Sequence, residues 1–227
     1  MIAANGFSLV GIYGGTFDPV HYGHLRVAEE LVEVLQLSHL RFLPAHHPRL
    51  RNAPVVASRH RVAMLHQAIH DNARFSMDER EIKRPGETYS VESLRELRQE
   101  YGEHKSVALC FILGADAFMK LPGWYCWHEL FELCHLVVVN RPGHALLTDP
   151  SDLPLALRNI CQERWAAHAG SLKEMSSGLV YVAPTTLLNI SSTKIRTLMA
   201  SGKSARYLLP ERVLDYINMH NFYAGGK

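Results

Sequence analysis

The stretch VALCFIL, residues 107–113, carries no charged or strongly polar side chain on either parity. A strand with one wet and one dry face alternates; this one does not. An apolar run of this length, closed by Gly114, predicts a strand buried on both faces, the setting of parallel strands under covering helices. Shorter stretches at 8–13 (SLVGIY), 40–44 (LRFLP), 74–78 (RFSMD), 136–139 (LVVV) and 179–183 (LVYVA) also read as strands. Between them the period changes. From Tyr22 to Leu35, residues Leu25, Ala28, Leu31, Val32 and Leu35 recur at helical spacing, and Glu29, Glu30 and Glu33 take the other face. Ser58 is placed to cap a helix through RVAMLHQAI, and Ser90 starts one whose Val91, Leu94, Leu97 and Tyr101 line one side.

Further helices are predicted just after Gly114, around 125–133, near 154–168, near 192–201 and near 211–219, the last opened by Pro210. Pro85 and Gly86 make 79–90 irregular, and 142–178 has the weakest pattern. The alternation predicts an α/β fold: a doubly wound (Rossmann-like) parallel sheet with helices on both faces and a small C-terminal helical part, residues 190–227. No repeat or low-complexity linker divides the chain, so 1–227 is read as a single domain. In such sheets ligands sit beyond the carboxyl ends of strands where strand order reverses, and Gly14-Gly15 and Gly114 both stand at strand ends.

Composition narrows the function. With 24 Lys plus Arg against 22 Asp plus Glu, the formal charge is +2, so no nucleic-acid or membrane surface is expected and anion binding has to be local. The N-terminus lacks a basic n-region and a long apolar core, and no apolar run has membrane-spanning length, so a cytoplasmic protein is expected. Cys110, Cys126, Cys134 and Cys161 form no C-x-x-C pair and read as reduced thiols.

Two clusters carry chemistry. In GGTFDPVHYGH, 14–24, a strand runs through glycines toward a helix, which lets backbone N–H groups approach an anion. Thr16 adds a hydroxyl, and His21 and His24 stand three apart. The spacing is neither G-x-G-x-x-G nor a Walker loop. H-x-x-H without a third ligand is poor for zinc. On these residues alone a glycine turn with two incidental histidines stays equally open. The second cluster is NISSTKIRTLM, 189–199. Ser191, Ser192 and Thr193 open a helix whose first turns carry Lys194 and Arg196. Cations there oppose the helix dipole unless a multiply charged anion is present. GKS at 202–204 is set aside as a Walker motif, because Thr197 replaces the first glycine; Gly202 reads as a helix C-cap.

Together, H-x-G-H at 21–24 and S-x-T-x-x-R at 191–196 resemble the nucleotidyltransferase superfamily signature. The segments DEREIKRPGETYSVESLREL, ILGADAF, LPGWYCWHEL and VVVNRPG follow in the order of the bacterial nicotinate mononucleotide adenylyltransferases, so the resemblance spans nearly the whole chain. It implies adenylyl transfer from ATP to nicotinate mononucleotide, giving deamido-NAD and pyrophosphate, with Mg²⁺ carried on the ATP phosphates rather than by a protein cage. It assigns catalysis to His21, His24 and Arg196, with His24 on the transferring phosphate. ATP contacts fall to Gly14, Gly15, Thr16, Phe17, Gly114, Asp116, Ser191, Ser192 and Thr193; Gly114 and Asp116 would meet the ribose. The mononucleotide falls to Thr88, Tyr89, Trp124 and Tyr125, with Trp124 stacked on the pyridine ring and Trp127 left in the core. ATP and the mononucleotide are the partners implied, and a homo-oligomer is compatible with the sequence. One departure stands out. Where the family often has Pro-Pro-His-Lys, this chain has Pro48, Arg49, Leu50 and Arg51, so Arg51 or Arg49 is left to meet a phosphate, while His46 and His47 read as loop residues.

Overall fold

The computed structural model describes residues 6–46, 53–102, 106–143 and 146–225. The readings on His47 and on 48–51 therefore lie outside the described residues. Six parallel strands form one sheet: β1 (Ser8–Gly15), β2 (His39–Pro44), β3 (Phe75–Met77), β4 (Val107–Gly114), β5 (His135–Val139) and β6 (Val180–Ala183), in the order β3-β2-β1-β4-β5-β6. The helices are α1 (Tyr22–Val34), α2 (Ser58–Ile69), α3 (Arg80–Lys83), α4 (Ser90–Glu100), α5 (Ala115–Phe118), α6 (Leu130–Leu133), α7 (Leu155–Cys161), α8 (Ser192–Ala200) and α9 (Glu211–Met219). This is the doubly wound order, and its reversal falls between β1 and β4, which opens a crevice at their carboxyl ends.

The apolar strands work as their composition requires. Along β4, Ala108, Cys110 and Ile112 enter one buried cluster with Leu31, Phe42 and Val213, while Leu109, Phe111 and Leu113 enter a second with Leu94, Phe118 and Leu157. The C-terminal helices contribute Ile195, Val213 and Ile217 to the first of these. Trp127 is buried in the second.

Several boundaries differ from the sequence reading, each for a local reason. Gly14 and Gly15 are not a turn; they are the last residues of β1, paired with Leu43 and Pro44. Ser58 does not cap α2. It is the first helical residue, and its hydroxyl pairs with His46 Nδ1 at 2.8 Å. Glu30, expected on the wet face of α1, is buried, because Thr186 donates to it through its N–H (2.6 Å) and its hydroxyl (2.5 Å). Within 79–90 a four-residue helix forms, its start held by Asp78, which accepts the Arg80 N–H at 3.1 Å. The helix near 154–168 stops at Cys161, since Trp165 has already reached the sheet edge beside Val180. The helix around 125–133 is split: Cys126, at φ 47°, precedes a 3₁₀ turn at 127–129 that leads into α6. Gly202, at φ 70°, follows α8; its N–H reaches Met199 O and that of Lys203 reaches Leu198 O, closing a Schellman cap.

Candidate active site

A cleft of ≈ 960 Å³ opens over the β1/β4 crevice. Its floor depends on missing side chains. A Cβ on Gly14 would stand 3.1 Å from the Phe111 ring, and one on Gly15 would stand 2.7 Å from the Phe17 ring. Phe17 is therefore turned to φ 49° and buried, its ring edge-on to Tyr13 (5.7 Å), Phe42 (5.6 Å) and His24 (5.1 Å).

His21 precedes the first turn of α1 and His24 lies within it. Their rings stack with centroids 3.7 Å apart and planes 25° apart. The His21 N–H donates to His24 Nδ1 at 3.3 Å, so a neutral His24 carries its proton on Nε2. His21 is buried, and desolvation, reinforced by the positive Arg141, pulls its pKa down from 6.5 to about 3. It is a neutral ring at neutral pH. Gly23 separates the two histidines because a Cβ there would meet Cε1 and Nδ1 of His21, each at 3.0 Å.

The second cluster closes onto the first across 173 residues and more. Ser192 Oγ donates to Pro19 O at 2.8 Å, and Arg196 Nη1 donates to Asp18 O at 2.7 Å. Arg196 Nη2 also reaches Thr193 Oγ1 at 3.4 Å, and Ser191 Oγ accepts the Lys194 N–H as the N-cap of α8. On the far side of the crevice Gly114 ends β4. Its bare Cα leaves room for Arg141 and Asp116, which pair at 3.5 Å; a Cβ would stand 2.8 Å from Arg141 Nε and 2.6 Å from Asp116 Oδ1.

Of the residues singled out from sequence, His21, His24, Arg196, Gly14, Gly15, Thr16 and Phe17 line this cleft, as do Gly114, Ser191, Ser192 and Thr193. Thr88, Tyr89, Trp124 and Tyr125 line it too. Asp116 does not; its Oδ1 pairs with Arg141, which does. The Trp124 ring is half-buried, edge-on to Phe111 at 6.4 Å, and the Tyr89 and Tyr125 rings are 4.8 Å apart. Thr88 Oγ1 donates to Glu81 Oε2 at 3.4 Å, and Ser93 Oγ to Glu81 Oε1 at 2.9 Å; burial raises the Glu81 pKa above the usual carboxylate value. Among the described residues no three His, Cys, Asp or Glu side chains gather as a metal-binding group, and no helix is long and apolar enough to cross a membrane.

Sequence reasoning missed Arg141, Glu81, Asp18 and Ser90, all of which line the cleft. Arg141 follows a strand in VVVNRPG, where nothing in its local pattern separates it from a solvated cation. Ser90 was read only as a helix start, yet the first N–H groups of α4 lack intrahelical acceptors and Ser90 faces the cleft.

Known proteins resemble this chain along nearly its whole length. The cytidylyltransferase-like family model matches residues 12–198. A Methylococcus capsulatus protein named "Probable nicotinate-nucleotide adenylyltransferase" is 43% identical over 95% of this chain and 100% of its own length. A Halorhodospira halophila protein of the same name is 45% identical over 94% of each chain. Two structures of Plasmodium falciparum nicotinic acid mononucleotide adenylyltransferase, one complexed with APC and one with NaAD, share the fold at TM-score 0.68, with 15% and 16% identity, covering 95% of this chain and 97% of theirs. The chain belongs to the cytidylyltransferase-like family and, within it, to the nicotinate-nucleotide adenylyltransferases.

Proposed function

We propose that this cleft transfers the adenylyl group of ATP to nicotinate mononucleotide, giving deamido-NAD and pyrophosphate. The observation that carries the reading is the closure of the two motif clusters on one another, through Arg196 to Asp18 O and Ser192 to Pro19 O, within a cleft that also holds Trp124. A phosphate oxygen of the mononucleotide forms the new bond to the α-phosphorus of ATP, and the bond from that phosphorus to the bridging oxygen of the β-phosphate breaks. Pyrophosphate leaves with the electron pair. The nucleophile is already an anion, so no general base is needed and the protein acts by alignment, worth on the order of 7–11 kcal/mol in favourable cases.

His24, with Nε2–H as its donor, meets the α-phosphate. One such preorganised donor to developing charge is worth roughly 3–4 kcal/mol. Backbone N–H groups of Gly15, Thr16 and Phe17, with the neutral His21, support the same phosphates. Arg196 and the N–H groups opening α8 at Ser192 and Thr193 take the leaving pyrophosphate; the Ser192 hydroxyl is already committed to Pro19 O. Gly114 faces the ribose, and Asp116, which pairs with Arg141, serves it from outside the cleft lining through that arginine. Trp124 stacks on the pyridine ring, and its carboxylate is received beside Thr88, Tyr89 and Tyr125, where α4 begins at Ser90.

The carboxylates near the phosphate loop are occupied: Asp18 accepts Tyr223 and Val55, and Asp116 pairs with Arg141. That donor set fits a divalent ion held by ATP oxygens and water, for which Mg²⁺ is the reading adopted; it would neutralise charge on the triphosphate. We read 1–227 as one nucleotidyltransferase domain with 190–227 as its C-terminal helical part, acting in the cytoplasm; the shared core of α8, α9 and the sheet supports the first point. Pyrophosphate release with nicotinate mononucleotide, nicotinamide mononucleotide and phosphopantetheine tests the assignment. Turnover is expected to be greatest with the first, and equal or greater turnover with either of the others would overturn it.

A further inference from the structure

A loop that grips phosphate with its N–H groups has to turn its carbonyl oxygens away from the anion. From Gly15 to Pro19 the chain gives those oxygens donors of their own. Gly15 O accepts from the Ala45 N–H at 2.9 Å, Thr16 O from Arg61 Nη1 at 2.6 Å, Asp18 O from Arg196 and Pro19 O from Ser192. The side chain at the centre of this loop, Asp18, is itself buried. Its Oδ2 accepts the Val55 N–H at 2.7 Å, and its Oδ1 accepts the Tyr223 hydroxyl at 2.6 Å.

Tyr223 lies 205 residues further along the chain, past the end of the family match at 198. Its backbone is left-handed, at φ 61°, and its ring is buried with Val213 and Ile217. A buried hydrogen bond from a fixed hydroxyl leaves a carboxylate oxygen little freedom to move, since breaking it would strand a buried polar group. Here it fixes the residue whose carbonyl seats Arg196.

We propose that Tyr223 is a positioning residue for ATP, acting through Asp18: its hydroxyl locks the Asp18 side chain and so sets the 15–19 main chain and the Arg196 guanidinium for the triphosphate. The proposal rests on the reading of that loop as the ATP site. Without the hydroxyl, the Val55 N–H is the one donor the carboxylate keeps among the described residues, so the main-chain segment that carries the Asp18 carbonyl loses one of its anchors.

The test is Tyr223→Phe in the full chain, with Asp18→Asn as a second variant that keeps an acceptor oxygen for Tyr223. KM for ATP, KM for the mononucleotide, binding of a non-hydrolysable ATP analogue by calorimetry and the thermal midpoint are all measured. Each variant is expected to raise KM for ATP and weaken analogue binding by about tenfold, while KM for the mononucleotide stays within about twofold. The double variant is expected to be no worse than the poorer single one, because each breaks the same two-donor hold on the residue-18 side chain, Tyr223→Phe at Oδ1 and Asp18→Asn at Oδ2. Unchanged analogue affinity in Tyr223→Phe overturns the proposal. So does an equal loss for both substrates that simply follows the thermal midpoint. An unmodified protein that binds no ATP analogue refutes the reading of the loop instead, so the two failures are told apart.

Discussion

Replacing Gly23 by alanine places one methyl group where the structure allows none to sit at rest. The new carbon would lie 3.0 Å from both Cε1 and Nδ1 of His21 and 3.4 Å from Ile190 O. Ordinary carbon contacts need about 3.5–4.0 Å, so the imidazole has to withdraw by about 0.5 Å. It cannot withdraw alone, because it is buried and stacked on His24 at 3.7 Å; the pair moves together. Stability changes little, since alanine gains about 1 kcal/mol of helix propensity at a position in α1 while overpacking costs about 1–3 kcal/mol. For a chain of this length each kcal/mol is worth about 2–4 °C, so the thermal midpoint is expected to shift by only a few degrees. Activity is more exposed. A misplacement of about 1 Å can cost about a hundredfold, so half of that is expected to lower kcat/KM by about tenfold, or about 1.4 kcal/mol. Pyrophosphate release and a circular dichroism melt measure the two quantities on one preparation. A kcat/KM within about twofold of the parent, at an unchanged midpoint, would refute the claim that this glycine sets the histidine pair for catalysis.

Three further outcomes follow from the same contacts. His21 has a folded pKa of about 3 against 6.5 ordinarily, so between those values the unfolded chain binds the extra proton. Its stabilising contribution is complete above about pH 6.5 and falls on acidification by at most about 1.4 kcal/mol per pH unit. Melts of the parent and His21→Asn between about pH 7 and pH 5 should therefore diverge, the parent losing more, and parallel curves would contradict the sign. Arg61 is wholly buried and donates to Thr16 O, Ala45 O and His46 O, so Arg61→Met strands three carbonyls. A loss on the order of 3 kcal/mol, or about 6–12 °C, is expected by calorimetry, and a midpoint within about 2 °C of the parent would count against it. Trp124→Ala removes a stacking face worth about 1–3 kcal/mol, so KM for nicotinate mononucleotide should rise about five- to 150-fold with KM for ATP unmoved; an ATP-side defect would relocate the ring.

The middle of the sheet was legible because β4 and β5 carry long runs that are apolar on both parities, the pattern of strands covered on two faces. VALCFIL became β4 and divided its side chains between two cores. Where the reading slipped, a contact distant in sequence had overridden a local signal. Glu30 has the spacing of a solvated residue and is buried because Thr186, 156 positions later, supplies two donors. Gly14 and Gly15 have the look of a turn and are strand residues because two phenyl rings occupy the space above them. Local propensity is a weak prior when the tertiary partner is decisive.

The cleft shows the same division more sharply. Residues that announce themselves by type and spacing, such as His21, His24 and Arg196, come to one place, as the motifs implied. Those that hold them there do not announce themselves at all. Arg61, Asp18 and Tyr223 carry no role in the sequence reading, since no motif spacing singles them out. Each is buried in the fold and makes its hydrogen bonds to main chain, hydroxyl or carboxylate partners. A phosphate-binding loop made of backbone has no side chains to be recognised by; what fixes it is the set of donors behind its carbonyls, and those donors can come from anywhere in the chain. Here they come from α2, α8 and, through Asp18, from the segment after α9. The proposed chemistry therefore rests on two short motifs, while the geometry of the cleft depends on residues up to 205 positions apart that only the folded chain brings into contact.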